Sequence, residues 1–224
     1  MEKAEALPEP KIGPRGQARR RRLLEAAIRL FDEKGFEATT LADLVNEAGG
    51  SRTSLYEYFG DKEGLLRAVT VEQSDRLLSD LAALRPDSSM APDVALKRMG
   101  LRFVEGLMDE ETMAVLRILI AEGSKFPEIG KFVLRRGPDS VIERTAEYLL
   151  ELAEAGKLRI DHPQEAARAF TGLLIGNILL RRLISPTSGM SREDLEKHVN
   201  RSVEIFLTGV GLRTDGAASG STQA

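Results

Sequence analysis

The chain has 224 residues, of which 42% are hydrophobic and 30% charged, a balance typical of a globular protein and unlike that of a collagen, a disordered chain or a multi-span membrane protein. Cysteine is absent and histidine occurs twice, which excludes disulfides, thiolate metal sites and cysteine nucleophiles and leaves few groups for a catalytic or metal centre. The formal net charge of −3 argues against nucleic acid as a partner only if the charges are evenly spread.

The amino-terminal segment carries a local excess of positive charge. Residues 1–10 are polar and lack the apolar run of a secretory signal, so we expect a cytoplasmic protein. Residues 11–22, KIGPRGQARRRR, carry six basic side chains and no acidic one. Two glycines and a proline in this stretch disfavour a helix, which predicts a flexible basic arm over 1–16 that leads into a first domain at 17–77.

Helical patterns follow the arm. The apolar residues of 23–34 recur with helical spacing and predict a first helix that ends at a glycine. A second helix is predicted over 41–48, with a threonine as its cap and a pair of glycines as its end. Ser51 can cap a third, short helix over 52–59, and a fourth begins after Gly60-Asp61.

The remainder of the chain also has helical periodicity. Plausible helices are 92–108, 111–122, 126–135, 138–156, 163–184 and 191–209, and few stretches alternate with the period of a strand. We therefore predict an all-α fold with a flexible tail at 213–224. The most apolar run, Ala169–Leu180, has 12 residues, whereas a membrane span needs about 20, so no membrane partner is expected.

The order helix, glycine turn, short helix at 41–59 points to DNA. A helix of about eight residues buries little surface by itself, but its outer face fits the major groove, where the first residues of a recognition helix reach the base edges. Here those residues are Arg52, Thr53 and Ser54, with Tyr56 one turn along. Arginine bonds guanine edges bidentately, and hydroxyl groups serve bases or phosphates.

Residues 23–69 closely resemble the DNA-binding domain of the TetR family of bacterial transcriptional regulators. The landmarks are Ala26-Ala27, Leu30-Phe31, Gly35-Phe36, Thr39-Thr40, Ala48-Gly49, Ser51, Leu55-Tyr56, Phe59, Lys62-Glu63 and Leu65. They cover the whole amino-terminal domain in order and at the spacing of the family. The resemblance implies that Leu41–Ala48 is the supporting helix and Arg52–Tyr58 the recognition helix of a helix-turn-helix.

The resemblance also assigns candidate DNA contacts. Base-reading positions are matched by Arg52, Thr53 and Ser54. Positions that commonly meet the DNA backbone are matched by Thr40, Tyr56, Tyr58 and Lys62. The amino-terminal extension, which in some members reaches phosphate or the minor groove, is matched by Arg19, Arg20, Arg21 and Arg22. One departure is Gly50, where the family usually has a β-branched residue.

The segment 78–212 is predicted to be a ligand-binding and dimerisation domain. Residues 121–137 and 156–176 resemble the carboxy-terminal domain of the AcrR/AefR-like branch, in which the last two helices of each subunit form a four-helix bundle across a two-fold axis. This implies a homodimer. The interface candidates are Ala169, Gly172, Leu173, Gly176, Leu180, Leu195, Val199 and Phe206.

A second set of apolar side chains on these helices fits either a core or a ligand pocket. The pocket candidates are Met99, Phe103, Leu107, Met113, Leu116, Ile120, Phe132, Phe170, Leu174 and Asn177. Asn177 is the polar member of this set, inside the most apolar helix, and it fits a hydrogen bond across the dimer, a role in fixing the register of the helices, or a contact with the ligand. No cluster of residues suits catalysis or a metal, so we expect neither enzymatic activity nor a cofactor.

The sequence therefore predicts a ligand-responsive transcriptional regulator. We expect a homodimeric repressor that binds double-stranded, palindromic operator DNA and is released by a small, lipophilic effector. The alternatives are an architectural DNA-binding protein without a ligand, or a helical enzyme or carrier with a DNA-binding-like head. The charges agree with a DNA-binding regulator. Residues 11–70 hold eleven basic and nine acidic groups, a local positive excess in a chain that is acidic as a whole.

Overall fold

The computed structural model describes residues 13–82 and 90–211. The predicted tail and most of the predicted arm lie outside these residues. The helices are α1 (Pro14–Lys34), α2 (Leu41–Ala48), α3 (Arg52–Phe59), α4 (Lys62–Ala82), α5 (Pro92–Met108), α6 (Glu110–Glu122), α7 (Pro127–Leu134), α8 (Ser140–Glu154), α9 (Pro163–Ile184) and α10 (Arg192–Gly211). Residues 13–82 and 90–211 contain no strand, and the predicted all-α fold with an amino-terminal helix-turn-helix is confirmed.

Helix α1 begins earlier than the sequence predicted. Pro14 occupies its first turn, and the amide of Gln17 donates to the carbonyl of Gly13 over 3.0 Å. Proline suits this position because its fixed φ is already helical and its missing N–H has no partner in a first turn anyway. The helix therefore includes the last residues of the predicted arm, 14–16, as well as the basic residues 19–22.

The chain divides into two compact units, which are described separately. Unit 1 contains the described residues up to Asp75 together with Glu110–Leu134, and unit 2 contains the described residues of 76–109 and of 135–211. The sequence placed α6 and α7 in a carboxy-terminal domain at 78–212. In the structure these two helices group with unit 1, and α6 packs against α1.

An ion pair and an apolar cluster hold α6 against α1. The Nε atom of Arg117 donates to the carboxylate of Asp32 over 2.7 Å, and its Nη2 donates to the second oxygen. These hydrogen bonds raise the pKa of Arg117, although partial burial opposes the shift. Beside the pair, Ala114, Val115 and Ile118 belong to the same buried cluster as the core of α1.

Unit 2 is built from α5, α8, α9 and α10. Gly100 lets α5 approach its neighbours, because a Cβ there would lie 3.0 Å from Leu174 and 3.1 Å from Val199. Helix α9 is kinked at Gly176, which has φ 31° and ψ −133°. Near this kink, His198 donates from Nε2 to the carbonyl of Leu174 over 2.8 Å, which satisfies a backbone acceptor where the helical ladder is interrupted.

Replacing Arg117 with methionine tests the attachment of α6. The change leaves the Asp32 carboxylate partly buried and unpaired, so the free energy of unfolding is expected to fall by about 1–3 kcal/mol. Urea denaturation measures it, with Arg67→Met, an exposed arginine of the same unit, as the matched control. In a double-mutant cycle with Asp32→Asn, strictly additive effects would contradict the pair.

Candidate DNA-binding site

The start and end of α2 are set by local sequence. Thr40 and Asp43 form a reciprocal cap: the Asp43 amide donates to the Thr40 hydroxyl over 3.1 Å, and the Thr40 amide donates to the Asp43 carboxylate over 2.9 Å. The hydrogen bonds from Thr40, chiefly that of its amide, lower the pKa of Asp43. Gly49 ends the helix in the left-handed region, at φ 64°, where a side chain would be strained.

Helix α3 presents its first turn to solvent. Ser51 caps it by accepting a hydrogen bond from the Ser54 amide over 3.2 Å. Leu55 and Phe59 are buried, which orients the helix so that the opposite face is outward. On that face Arg52 and Thr53 are exposed, and Tyr56 is 52% exposed. These three candidates therefore lie where a DNA major groove can reach them.

Ser54, the third predicted base-reading residue, faces inward. Its side chain is buried, and its hydroxyl lies 3.0 Å from that of Ser51. It also accepts a hydrogen bond from Nη1 of Arg19 over 3.2 Å. Ser54 therefore joins α1 to the first turn of α3, and its hydroxyl is not free for a base. In this way it positions the exposed residues Arg52, Thr53 and Tyr56, which we call the reading surface.

Lys62 stabilises the fold where the family match suggests a phosphate contact. Its ammonium group donates to the carbonyls of Phe36, Glu37 and Thr39 over 2.8, 3.3 and 3.1 Å, and it lies 4.3 Å from the centre of the Phe36 ring. An ammonium group has three donors, so these carbonyls occupy all of them. Lys62 thus closes the connection between α1 and α2.

The four arginines at 19–22, which match the amino-terminal extension of the family, have different surroundings. Arg20 pairs with Glu72 over 2.8 Å and lies over the ring of Phe59, so it braces α1 against α3 and α4. Arg21 pairs with Glu25 one turn along α1. Arg22 is exposed and forms no ion pair within the described residues. Arg22 and the partly engaged Arg19 therefore remain the arginines of this group most available to phosphate.

The other predicted backbone contacts are accessible in part. Thr40 is exposed, although its hydroxyl also donates to Asp43 over 2.8 Å. Tyr58 is half-buried, and its ring meets that of Phe59 edge-on at 6.1 Å. A phosphate contact by Tyr58 would therefore use its hydroxyl while its ring stays packed.

Unit 2 contains a cavity that is lined by some of the predicted pocket residues. The cavity has a volume of about 40 Å³ and lies between α5, α8 and α9. Four of the pocket candidates line it, namely Met99, Phe103, Phe170 and Leu174. Sequence reasoning missed Val141, Arg144 and Thr145 of α8, which also line it, because no pattern on α8 shows which helix it faces.

The remaining pocket candidates lie elsewhere. Leu107 is buried in unit 2 but does not line the cavity. Four belong to α6 and α7 of unit 1, which are Met113, Leu116, Ile120 and Phe132, and Ile120 is 67% exposed. Asn177 is exposed on α9. The reason is that helical spacing identifies an apolar face without showing which unit that face joins.

The predicted dimer residues fall into two groups. Leu195, Val199 and Phe206 are buried inside the single protomer, so they fill its own core and are not available to a second copy. The other five lie on α9, where four are exposed and Leu173 is half-buried. The exposed ones are Ala169, Gly172, Gly176 and Leu180. On α9 and α10, two exposed large apolar residues were not among the candidates, Ile184 and Ile205, at 75% and 47% exposure.

The described residues contain neither a cluster of metal ligands nor a membrane-spanning helix. No group of three or more histidine, aspartate or glutamate side chains there is placed to hold a metal ion. None of the helices is long and apolar enough to cross a membrane.

Two family models match the chain. Residues 23–69 match the model described as bacterial regulatory proteins of the tetR family. Residues 94–209 match the model described as the carboxy-terminal domain of AefR-like transcriptional repressors. The two matches together span both the helix-turn-helix and the helices that line the cavity.

Individual proteins agree with the family models. The HTH-type regulator YvkB of Bacillus subtilis is 26% identical over 191 residues, which are 85% of this chain and 96% of YvkB. The regulator BetI of Cronobacter sakazakii is 31% identical over 185 residues, 79% of this chain and 84% of BetI. Among solved structures, a TetR-family regulator of Mesorhizobium loti superposes with a TM-score of 0.77 at 26% identity, covering 89% of this chain and all of that one. The flavonoid-responsive regulator FrrA superposes with a TM-score of 0.70 at 29% identity, covering 86% of this chain and 97% of FrrA.

The role of Lys62 is testable by its replacement with glutamine. Three backbone carbonyls lose their charged donor, so the free energy of unfolding is expected to fall by about 1–3 kcal/mol. Denaturant unfolding measures the change, and Lys131→Gln, an exposed lysine of the same unit, serves as the control. If unfolding were unchanged while the salt dependence of DNA binding fell by one phosphate contact, Lys62 would be a DNA contact and not a structural one.

Proposed function

Because the chain belongs to the TetR family of bacterial transcriptional regulators, we propose that it represses transcription as a homodimer on a palindromic operator and is released by a small lipophilic effector. The family consists of DNA-binding regulators, and this chain is one of them. The observation that carries the proposal is the exposed first turn of α3, held outward by the Ser51 cap and the buried Leu55 and Phe59.

Recognition of the operator follows from that geometry. In our proposal Arg52 and Thr53 read base edges, while Arg22, Arg19 and Tyr56 contact phosphates around the groove. The hydrogen bond between Arg19 and Ser54 fixes α3 before DNA arrives, which lowers the ordering cost of binding. A dimer of such helix-turn-helix heads reads two half-sites about one helical turn apart, ~34–36 Å. Repression follows because the bound dimer occludes the promoter in the cytoplasm.

The exposed apolar residues of unit 2 support the homodimer. Leu180 and Ile184 of α9 and Ile205 of α10 are 58%, 75% and 47% exposed. Large apolar side chains on two helices favour burial against an identical surface, since a two-fold axis pairs each residue with its counterpart on the other protomer. We propose that α9 and α10 form this interface through their exposed faces.

The cavity of unit 2 supports the response to an effector. Its volume of about 40 Å³ is far below the ~300–1,000 Å³ of typical ligand pockets. An effector therefore has to displace α5, α8 or α9 to enter, and it binds the displaced arrangement better than the one described. FrrA, similar in structure, is described as flavonoid-responsive, which agrees with a lipophilic effector.

The path of the chain offers a route from the cavity to the DNA. Helices α5 and α8 line the cavity, and the chain between them forms α6 and α7, which belong to unit 1. Displacement of α5 or α8 therefore pulls on the ends of this segment, whose α6 is joined to α1 by Arg117 and Asp32. A coupling of about 1–3 kcal/mol would weaken operator binding roughly 5- to 150-fold.

Arg52→Ala tests the reading surface. If Arg52 reads a base, the loss is expected to be about 1–3 kcal/mol on the preferred duplex and much smaller on unrelated duplexes. The preferred duplex is first selected from a random pool with the wild-type protein, and Kd values are then measured by fluorescence anisotropy. Arg98→Ala, an exposed arginine of unit 2, is the matched control. An equal loss on every duplex would show that Arg52 contacts phosphate instead.

Neutralising Arg19–Arg22 one at a time tests the amino-terminal turns of α1. Replacement of Arg22 with glutamine is expected to reduce the slope of log Kd against log salt by up to ~0.9, the value for one phosphate contact. Arg20→Gln is expected to leave the slope nearly unchanged, because Arg20 already pairs with Glu72. Equal slopes for all four variants and the wild type would remove this region from the DNA interface.

A further inference from the structure

The cavity of unit 2 has an apolar interior and one charged side chain at its edge. Met99 and Phe103 of α5 and Phe170 and Leu174 of α9 supply most of the interior. Phe103, Phe170 and Leu174 are buried. Among the described residues that line the cavity, Arg144 of α8 is the charged one, and its side chain is exposed.

The other polar groups of the lining do not neutralise Arg144. They are the two uncharged hydroxyls of Thr145 and Thr171, and Thr145 uses its hydroxyl to donate to the carbonyl of Val141 within α8, over 2.8 Å. No carboxylate lines the cavity within the described part of the chain, and Arg144 forms no ion pair there. A guanidinium group presents five donors and remains charged at any physiological pH. The edge of the cavity therefore favours an anion over a cation.

We propose that the effector is an amphiphilic monoanion, with its apolar tail between α5 and α9 and its carboxylate or similar oxyanion on Arg144. This inference rests on the proposed function, because it specifies the ligand of the cavity assigned there. The exposure of Arg144 to solvent matters for the energetics of binding. The anionic head stays in contact with water while the tail enters the apolar interior, so no charge has to be buried without hydration.

The interior favours a thin tail. Gly100 forms part of the lining, and even a Cβ atom at this position would lie 3.0 Å from Leu174. The space of about 40 Å³ is more than the ~10–15 Å³ that one water molecule requires. It therefore admits the first carbons of a chain, and each further buried methylene is expected to raise the affinity roughly 4-fold, which offsets the cost of displacing the helices.

Three probes of equal tail length test the charge preference. Decanoate, 1-decanol and decyltrimethylammonium are titrated into the full-length protein by isothermal calorimetry, below their micellar concentrations. Decanoate is expected to bind most tightly and the cation least. The variants are Arg144→Gln, Arg144→Lys and, as the matched control, Arg98→Gln, an exposed arginine of α5 that does not line the cavity.

The expected result is specific to the anion and to position 144. Arg144→Gln should weaken decanoate binding about 10-fold, the lower end of the range for a hydrogen bond to a charged group because the site is partly solvated. Arg144→Lys should restore most of the affinity, and Arg98→Gln should leave it unchanged. Binding of 1-decanol should be the same in all four proteins.

Several outcomes would overturn the inference. Equal affinity for decanoate and 1-decanol, no effect of Arg144→Gln on decanoate, or no binding of decanoate to the wild type would each contradict it. If 1-decanol binds and releases the selected duplex while Arg144→Gln changes nothing, the proposed function stands and the anionic class is refuted. If the wild type shows no sequence preference for DNA, the proposed function fails, whatever the calorimetry gives.

Discussion

The ion pair between Arg117 and Asp32 is the contact on which the attachment of α6, and with it the proposed effector response, depends. It attaches α6 to α1, 85 residues apart in the chain, and so makes a segment from the middle of the sequence part of unit 1. The buried hydrogen bond from Gln73 to Thr112, 2.7 Å long, adds a second attachment between α4 and α6. Together with the apolar cluster of Ala114, Val115 and Ile118, these contacts join α6 to the helices around the helix-turn-helix, and in our proposal they carry a displacement at the cavity to it.

Local chemistry made much of the helix-turn-helix predictable from the sequence. Thr40, Gly49 and Ser51 act within a few residues of their own position, through caps and a left-handed turn, so residue type and spacing suffice to place them. The outward position of Arg52 and Thr53 follows in turn from the periodicity of Leu55 and Phe59. The start of α1 differs from the prediction because a proline, which breaks a helix in its interior, favours the helix in its first turn.

Residues whose roles depend on distant partners could not be assigned in the same way. Lys62 and Ser54 match DNA-contact positions of the family, but carbonyls 23–26 residues away and Arg19, 35 residues away, occupy their polar groups. Leu195 and Val199 lie on an apolar helical face that suits a core as well as a dimer seam, and only tertiary packing shows that the protomer buries them. Arg144 carries no sequence signal at all, since a single arginine on a helix has no pattern.

In the structure α6 belongs to unit 1, with α1, and not to unit 2, which holds the helices that line the cavity. Native-state hydrogen exchange of the DNA-free protein tests it most directly, because amides of one cooperative unit open with one free energy. If α6 and α1 form one cooperative unit, the most protected amides of α6 are expected to open with the same free energy as those of α1, and with the same dependence on denaturant. Exchange of α6 together with α5 and α8, at an opening free energy different from that of α1, would contradict it.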